Sequence, residues 1–586
     1  MIECHDIVVC TYQLIRLYLL HMYANHQMNE VPPIDTDHIL SFIRVGGTRD
    51  PRGRHPQKVA FEQELNDFYD HEFQPCFNQP KYDLTHKSFL LPYLATQIQT
   101  GFNNNTKEHF LTRIRKIMNL LRPTELTDDT LFKRIETHIL QDRHDLIPDP
   151  YRAWAQMIRQ EYLPPTYEKC YGYDVKAHPD KYLSYSIKMN DVIEQYNQVI
   201  QHSQLPEEEQ RKQIHKLFQP IPLRTNCVPC YLTLDAASIV SIFYQHNKAI
   251  GQHISEHQEA IWSSLFLTNK KVMRIAGYHF STLQTDGVGV SICFQKNGLT
   301  QAEKKISVEA TEPKHLEDLN QQELALCQGR HLVAGDPGKQ SAIYLMNDQR
   351  DKLRYTPRQR QAESRTLICQ HIMDKEKTHH GIQALELVLS HYDSKTVNYQ
   401  LFKEYLSIHT HFQPQIGGFY QQIVWRRMKW RTWINRRQSE DQFLNRMEQT
   451  FGSRDDVLIC YGDWSQTQQM KYLMPSQGVG LRRLIQKRFD VVMVDEFRTS
   501  KLCNQCHGEL GHYENLYRVL VCQNCQYNRL ESKCCIFNRD ANACMNLLYL
   551  SHEWIQHQSR PEPYCRMMTL TTFTPDVPVG VRNLRL

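Results

Sequence analysis

Four cysteines near the C-terminal end have the spacing of a zinc site. They form two Cys-x₂-Cys pairs, separated by fifteen residues: Cys503, Cys506, Cys522 and Cys525. Thiolates are preferred zinc ligands, and two such pairs supply four tetrahedral corners. Because the four cysteines fill all four coordination positions of the ion, none remains open for a catalytic water or a substrate. The spacing predicts one structural Zn²⁺ in a zinc ribbon, with His507, Cys534 and Cys535 outside the ligand set.

Three acidic residues stand where apolar or helical patterns begin or end. Asp336 follows an apolar run in HLVAGDPG, Glu496 ends FDVVMVDE, and Asp540 opens a helical pattern in NRDANACMNLL. Taken singly, each has an ordinary interpretation as a turn residue, a solvated strand end or a helix cap. Brought together, they would repel one another unless divalent cations lay between them. Carboxylates, water and phosphate oxygens are the ligands that Mg²⁺ prefers, so the joint interpretation is a magnesium site.

These acids belong to a pattern of alternating strands and helices. HLVAGDPGKQSAIYLM predicts two strands joined by a Pro-Gly turn. DVLICYGDWS and FDVVMVDEF predict two buried strands, with the helix GLRRLIQKRF between them. Such alternation is typical of an α/β sheet. Because side chains alternate along a strand, Asp495 and Glu496 face opposite ways, and only one of them can reach a shared site.

A basic and aromatic segment lies upstream of these strands. FYQQIVWRRMKWRTWINRR, at 419–437, contains three tryptophans and no acid. Its cations are Arg426, Arg427, Lys429, Arg431, Arg436 and Arg437. The pattern predicts a helix that binds nucleic-acid phosphates. A packed helix with a solvated basic side is the alternative.

Length and composition set the general class. A chain of 586 residues with 41% hydrophobic and 23% charged residues is expected to form several globular domains. The net charge of +5 is small, so any basic surface must be local. Eight of the 18 cysteines are scattered singly, which favours reduced thiols and the cytosol or nucleus. The apolar N-terminal segment is expected to be an amphipathic packed helix, and no run is expected to be long enough to span a bilayer.

The predicted secondary structure changes once in the first half of the chain. Residues 1–165 have mostly helical patterns, such as TKEHFLTRIRKIMNLLRP, where Thr106 is the expected cap and Pro123 the expected stop. Residues 166–330 are richer in short strands, and Asp286-Gly287 predicts a hairpin turn. Cys227 and Cys230 are expected to be ordinary thiols.

The order of the C-terminal motifs resembles a known nuclease family. AGDPG, VDEFRTSKLCNQC, LVCQNC and NRDANACMNLL follow one another as they do in the nuclease half of the Fanzor proteins. Fanzors are eukaryotic relatives of the transposon-encoded TnpB nucleases and of type V CRISPR effectors. The motifs agree over 331–350 and about 455–550, and TDGVGVSICF at 285–294 is similar to an upstream segment of that family. Over 1–270 the resemblance is one of layout.

The resemblance implies a multidomain α/β protein with a RuvC-like (RNase H-type) nuclease domain. The implied parts are a helical recognition lobe (1–165), a β-barrel wedge domain (166–330), the nuclease domain (331–350, 453–500 and 531–550) with a helical insertion (351–452) and an inserted zinc ribbon (501–530), and a C-terminal tail (551–586). It also implies an RNA-guided DNA endonuclease in which Asp336, Glu496 and Asp540 hold two Mg²⁺ ions. One ion would activate water and the other would stabilise the leaving 3′ oxygen.

The middle acid departs from the pattern of the bacterial relatives. There it ends an earlier strand, and the matching strand here offers Gly462 and Asp463 but no glutamate. Glu496 on the neighbouring strand resembles the relocated acid of Fanzors. Glu496 is therefore expected at the metals in preference to Asp495, and Asp463 is kept as an alternative.

The implied partners are one guide RNA per protein chain and a target double-stranded DNA with a short motif read by the protein. No membrane partner is expected, and nuclear residence follows from the family. Two other functions stay open at this point. One is a non-cleaving zinc-ribbon protein that binds nucleic acid, and the other is a guide-free RuvC-like nuclease or transposase.

Overall fold

The computed structural model describes most of the chain. The described residues are 1–48, 56–224, 227–243, 254–267, 275–296, 312–464, 478–514, 516–528 and 536–566. Within this part, the chain forms two compact units. Unit 1 contains Met1–Gly298 and Asp374–Arg427, and unit 2 contains Leu299–Met373 and Met428–Asn583.

The elements before residue 298 are mainly helices. The α-helices are α1 (Ile2–Ala24), α2 (Thr36–Val45), α3 (Pro56–Phe68), α4 (Gln74–Phe77), α5 (Leu91–Leu120), α6 (Asp129–Leu140), α7 (Asp149–Tyr162), α8 (Tyr171–Ala177), α9 (Leu183–Gln201), α10 (Glu207–Gln213), α11 (Ala236–Phe243) and α12 (Ile254–Leu265). The strands are β1 (Leu232–Leu234), β2 (Tyr278–Thr285) and β3 (Val290–Lys296).

The later elements alternate between strands and helices. The strands are β4 (His331–Pro337), β5 (Ile343–Asn347), β6 (Lys352–Tyr355), β7 (Val457–Gly462), β8 (Asp490–Val494), β9 (Leu510–Tyr513), β10 (Leu516–Cys522) and β11 (Ile536–Asn538). The helices are α13 (Gln321–Cys327), α14 (Pro357–Glu363), α15 (Thr366–His379), α16 (Ile382–Leu389), α17 (Tyr399–Tyr420), α18 (Ile423–Phe451), α19 (Gly478–Ile485), α20 (Gln523–Asn528) and α21 (Arg539–His557).

Helix α1 is the central helix of unit 1. Its side chains are buried around the whole circumference, so the prediction of an amphipathic helix is wrong. By length and composition α1 could cross a membrane, contrary to the sequence-based expectation, but 83% of its apolar window is buried inside the protein. Even Arg16 is buried there, and its guanidinium donates to the carbonyls of Ile221 and Thr396 at 2.7 and 3.0 Å.

A second helical core in unit 1 contains the predicted stripe of α5. The segment TKEHFLTRIRKIMNLLRP predicts a stripe of Phe110, Ile114, Ile117 and Leu121. The first three are fully buried, while Leu121 follows the end of the helix and is only partly buried. The helix begins at Leu91, so Thr106 lies inside it and is no cap. Side chains of α8 and α9 belong to the same core, so this helical region continues past the predicted boundary at residue 165.

The smaller sheet of unit 1 has the order β1-β2-β3. Strands β2 and β3 form the predicted antiparallel hairpin, with the Asp286 carboxylate accepting from the N–H groups of Val288 and Gly289. Trp262 of α12 packs on this sheet, its ring centroid 4.3 Å from that of Phe280. Three strands form this sheet in the described part of 166–330, and they do not close the barrel that the resemblance implies.

Unit 2 is built on a mixed five-stranded sheet with the order β6-β5-β4-β7-β8. Strands β4, β7 and β8 run parallel, while β5 and β6 are antiparallel to their neighbours. The predicted two-strand unit around the Pro-Gly turn is confirmed as β4 and β5. Residues 352–355, expected in the helical insertion, instead form the edge strand β6 of this sheet.

Helices cover both faces of this sheet. Leu332, Ala334 and Leu458 point to one face, where α21 and α13 pack against them. The intervening residues Val333 and Ile459 point to the other face, where α18 and α19 pack. This period of two follows from the pleat of the strands. The result is a three-layer α/β/α arrangement within unit 2.

Candidate active site and metal centre

The carboxyl ends of three parallel strands bring two of the predicted acids to one edge of the sheet. The register pairs Gly335 of β4 with Tyr461 of β7, and Tyr461 with Met493 of β8. Asp336 is therefore level with the end of β7, and adjacent strands are about 4.8 Å apart. Glu496 follows β8 by two residues. This edge is where ligands bind in open α/β sheets.

Gly462, the last residue of β7, makes room for the Glu496 side chain. A Cβ at position 462 would lie 1.8 Å from Glu496 Oε1 and 2.6 Å from its carboxyl carbon. The same Oε1 accepts from the Trp464 backbone N–H at 3.2 Å. The carboxylate of Glu496 thus extends across the end of β7 towards β4, the strand that carries Asp336.

Asp540 enters the site from the first turn of α21. Asn538 caps this helix by accepting from the N–H groups of Asp540 and Ala541, so Asp540 is not the cap. Asp540 is buried, with 6% of the residue exposed. Its Oδ2 accepts from Arg518 of β10 and from the Ser341 hydroxyl, the latter at 3.4 Å. A helix N-terminus also favours a negative charge.

Electrostatic interactions link Asp336 to each of the other two acids. Burial and the Asp540 carboxylate raise the pKa of Asp336 to about 8. Burial and the Asp336 carboxylate raise the pKa of Glu496 well above its ordinary value. Asp336 therefore interacts with both other acids. Shared negative charge of this kind is what a divalent cation neutralises.

The donor set fits magnesium in its chemistry. Mg²⁺ prefers carboxylate oxygens and keeps several waters. Among the described residues, the three acids do not form a group whose oxygens are close enough together to hold a metal ion as they stand. Metal binding would therefore require these side chains to move closer together.

Asp495 and Asp463 have other partners. Asp495 is bound by the Arg566 guanidinium at 2.8 and 3.1 Å, and these contacts hold its pKa below its ordinary value against the effect of burial. The Oδ1 of Asp463 accepts from the backbone N–H of Glu496 at 3.2 Å. The opposite directions of Asp495 and Glu496 agree with the predicted alternation, although both residues lie just beyond β8.

The four predicted zinc ligands lie together. Their sulfurs are all within 4.8 Å of one another, and the group could hold a metal ion: Cys503, Cys506, Cys522 and Cys525. Backbone N–H groups point at two of the sulfurs, from Gln505 at 3.5 Å and from Cys525 at 3.4 Å. Strands β9, β10 and β11 form a small antiparallel sheet beside the cluster.

The other candidate ligands lie elsewhere. The His507 ring stacks on Tyr549 with centroids 4.7 Å apart, and its Nδ1 lies 3.0 Å from the Tyr564 hydroxyl. Cys534 and Cys535 lie outside the described residues. In unit 1, burial raises the pKa of Cys227 to about 11, and Cys230 contacts the Arg224 guanidinium.

The predicted basic helix is α18, and its cations differ in exposure. Arg426 is only 6% exposed and donates to the Asp286 carbonyl at 2.7 Å, so it does not belong to the predicted phosphate-binding surface. Arg436 is half-buried. The exposed cations are Arg427, Lys429, Arg431 and Arg437.

Sequence reasoning missed two residues of the site. Gly462 was noted only as a position without an acid, and the signal was a glycine at the end of a buried strand. Arg518, which contacts Asp540, had no distinguishing signal, because the contact depends on how β10 folds beside α21.

A domain of unknown function, DUF8286, matches residues 232–296. This range runs from β1 to β3 and contains no residue of the carboxylate site or the cysteine cluster. No curated protein matches the chain. The match covers the small sheet of unit 1 and assigns no chemistry to unit 2.

Proposed function

We propose that this chain is an RNA-guided DNA endonuclease with a RuvC-like catalytic domain. One observation carries the proposal: Glu496 extends across Gly462 towards Asp336 at the carboxyl edge of the parallel strands, where Asp540 also arrives. The mixed order β6-β5-β4-β7-β8, with β4, β7 and β8 parallel, is compatible with an RNase H-type sheet. The guide RNA is inferred from the resemblance to Fanzors.

Asp336, Glu496 and Asp540 are the residues that would hold two Mg²⁺ ions. Bound there, such ions supply an activated water and charge stabilisation at the scissile phosphate. Asp336 has the central role, because it is the acid that interacts with both others. The Trp464 N–H orients Glu496, while Arg518 and Ser341 orient Asp540.

The zinc ribbon joins two parts of this site. The ribbon, residues 501–530, follows Glu496 in the sequence and precedes Asp540. The side-chain amides of Asn542 and Asn546 both donate to the backbone carbonyls of Thr499 and Leu502, at 2.7–3.2 Å. The helix that carries Asp540 is thus hydrogen-bonded to the segment that links Glu496 to the first cysteine pair. A structural zinc would preserve this arrangement.

Cleavage of guide-matched DNA by the purified protein–RNA complex tests the proposal. We expect Mg²⁺-dependent cleavage that Asp336→Ala lowers by more than about 100-fold, the scale on which single charge-stabilising groups act at reacting centres. Asp348→Ala is the matched control, because this half-exposed acid of unit 2 pairs with His552. Binding without cleavage by the wild-type complex would support the non-cleaving alternative.

The guide is tested separately by purifying the protein from its host cells. Recovery of one defined RNA with the protein supports guided cleavage. Cleavage by protein that carries no RNA would instead favour a guide-free nuclease or transposase. Sequencing the bound RNA gives the target sequence directly.

A further inference from the structure

A groove on the outer side of unit 2 combines aromatic and basic side chains. It has a volume of about 490 Å³ and is lined by α14, α18 and α19. Its wall includes Trp433, Arg436 and Arg437 from α18, and Arg483 and Lys487 from α19 and the turn after it. The volume is within the roughly 300–1,000 Å³ range of small-ligand sites. The groove can therefore hold a nucleotide-sized group.

The exposed tryptophan of the groove, Trp433, is stacked on a second tryptophan. Trp433 is 45% exposed, and its ring lies nearly parallel to that of Trp430, with centroids 4.9 Å apart and an interplanar angle of 12°. The Arg437 guanidinium lies over the Trp433 ring, 5.4 Å from its centroid. An exposed indole that is supported by a second indole is a rigid surface for another flat group.

The charge of the groove is positive. Its acid, Glu440, is neutralised by Arg360 at 2.6 Å. Arg483 shares Glu312 with Arg482. Arg436, Arg437 and Lys487 form no ion pair within the described part of the chain. These three cations are available for anionic groups such as phosphates.

The walls of the groove are firmly held. Helix α14 is fixed to α18 by the Arg360–Glu440 pair and by the Ser439 hydroxyl, which donates to the Glu363 carboxylate. The opposite side of α18 and α19 packs into the sheet through buried residues such as Phe443 and Ile485. Trp433 is thus presented on a rigid scaffold.

We propose that this groove binds an unpaired stretch of nucleic acid, with one base stacked on Trp433. The base replaces the Arg437 guanidinium on the indole, and Arg437 moves to a neighbouring phosphate. The exchange is favourable, because an exposed cation–π contact is worth less than a base–aromatic stack. This inference rests on the proposed nucleic-acid function and deepens it by naming a site for a single strand.

Binding of short single strands by the full-length protein tests the site. Oligonucleotides of about 12 nucleotides match the site sizes of single-strand-binding proteins. Fluorescence anisotropy would compare DNA, RNA and abasic DNA of the same length, in an Asp336→Ala background without added Mg²⁺. We expect Trp433→Leu to weaken binding to base-bearing strands by roughly 5-fold to 150-fold, the range of one base–aromatic stack, and to leave abasic binding unchanged.

Two further variants separate stacking from charge. Trp433→Phe keeps an aromatic surface and should retain most of the preference for base-bearing strands. Arg437→Gln should reduce the slope of log affinity against log salt by about one, because one phosphate contact is lost. Tyr173→Leu is the matched control, since this exposed ring in unit 1 also carries a cation, Lys169, at 4.3 Å.

Photo-crosslinking locates the base. A 5-bromouracil strand should crosslink to the peptide that contains Trp433. If Trp433→Leu weakens binding to RNA strands only, the occupant of the groove is assigned to the guide. If it weakens binding to DNA strands only, the occupant is assigned to the target strand. Crosslinks elsewhere, or equal binding by wild type and Trp433→Leu, would overturn the site. These experiments measure strand binding and not cleavage. Their outcome therefore distinguishes a protein that lacks nuclease activity from one whose groove does not bind single strands.

Discussion

Glu496 Oε1 lies in the volume that a side chain at position 462 would fill, 1.8 Å from where a Cβ would stand. The strand β7 ends in Gly462, and this glycine lets the acid that follows the next strand extend across it. The absence of a side chain at one position thus determines where the middle carboxylate lies.

Replacing Gly462 should therefore damage the site. Gly462→Ala forces the Glu496 carboxylate away from Asp336, and a misplacement of about 1 Å can cost roughly 100-fold in rate. We expect such a loss of Mg²⁺-dependent cleavage with an unchanged circular dichroism spectrum. Gly418→Ala in α17 is the control, because a Cβ there meets nothing within 4 Å. Full activity of Gly462→Ala would show that the Glu496 carboxylate can reach the site in another conformation.

The two adjacent acids should behave differently. Glu496→Gln is expected to abolish cleavage, because the charge that faces Asp336 is lost. Asp495→Asn loses only its pair with Arg566, whose side chain is 51% exposed, and such pairs contribute about 1 kcal/mol or less. Cleavage rates and urea unfolding of both variants test this. Loss of cleavage in Asp495→Asn alone would reverse the assignment.

Magnesium binding should depend on pH through Asp336. Its folded pKa of about 8 is above the unfolded value, so the metal-free folded state binds the extra proton between about pH 4 and pH 8. The contribution of Asp336 to the free energy of unfolding therefore falls as pH rises through that window. Mg²⁺ binds the ionised form, so the rise in Tm on adding Mg²⁺ should be larger at pH 8.5 than at pH 6.

Differential scanning fluorimetry measures this dependence directly. Asp336→Asn cannot ionise and should show little Mg²⁺ effect at either pH. Asp348→Asn should behave like the wild type. An equal rise in Tm at both pH values in the wild type would contradict the assignment of Asp336 as a ligand.

Zinc should be stoichiometric and structural. We expect one zinc per chain by elemental analysis, and its loss in Cys522→Ser together with a lower Tm. Cleavage should fall as well, because the ribbon connects the segments that carry Glu496 and Asp540. Cys565→Ser is the control, since this exposed thiol lies outside the cluster. Unchanged zinc content in Cys522→Ser would exclude Cys522 from the ligand set.

Local patterns predicted the parts of unit 2 that depend on neighbours in sequence. The apolar runs that end at Asp336 and near Glu496 are strands, and the two cysteine pairs form one cluster. The reach of Glu496 across Gly462 could not be read from the sequence, because it depends on which strands are neighbours and on their register. The burial of Arg426 depends in the same way on packing against the β2–β3 hairpin within unit 1.

Two expectations for unit 1 differ from the described residues for a similar reason. The expected boundary at residue 165 followed a change in local composition, whereas α8 and α9 share the core of α5. The expected barrel came from the resemblance alone. In the described residues, strands β1–β3 form an open sheet on which α12 packs.

The amides of Asn542 and Asn546 also bear on the order of events during biosynthesis. They tie the chain just before the first cysteine pair to a helix that is synthesised after the second pair. These hydrogen bonds can therefore form only after both cysteine pairs have been synthesised. The helix that brings Asp540 to the site is thus the last part of it to arrive in a growing chain.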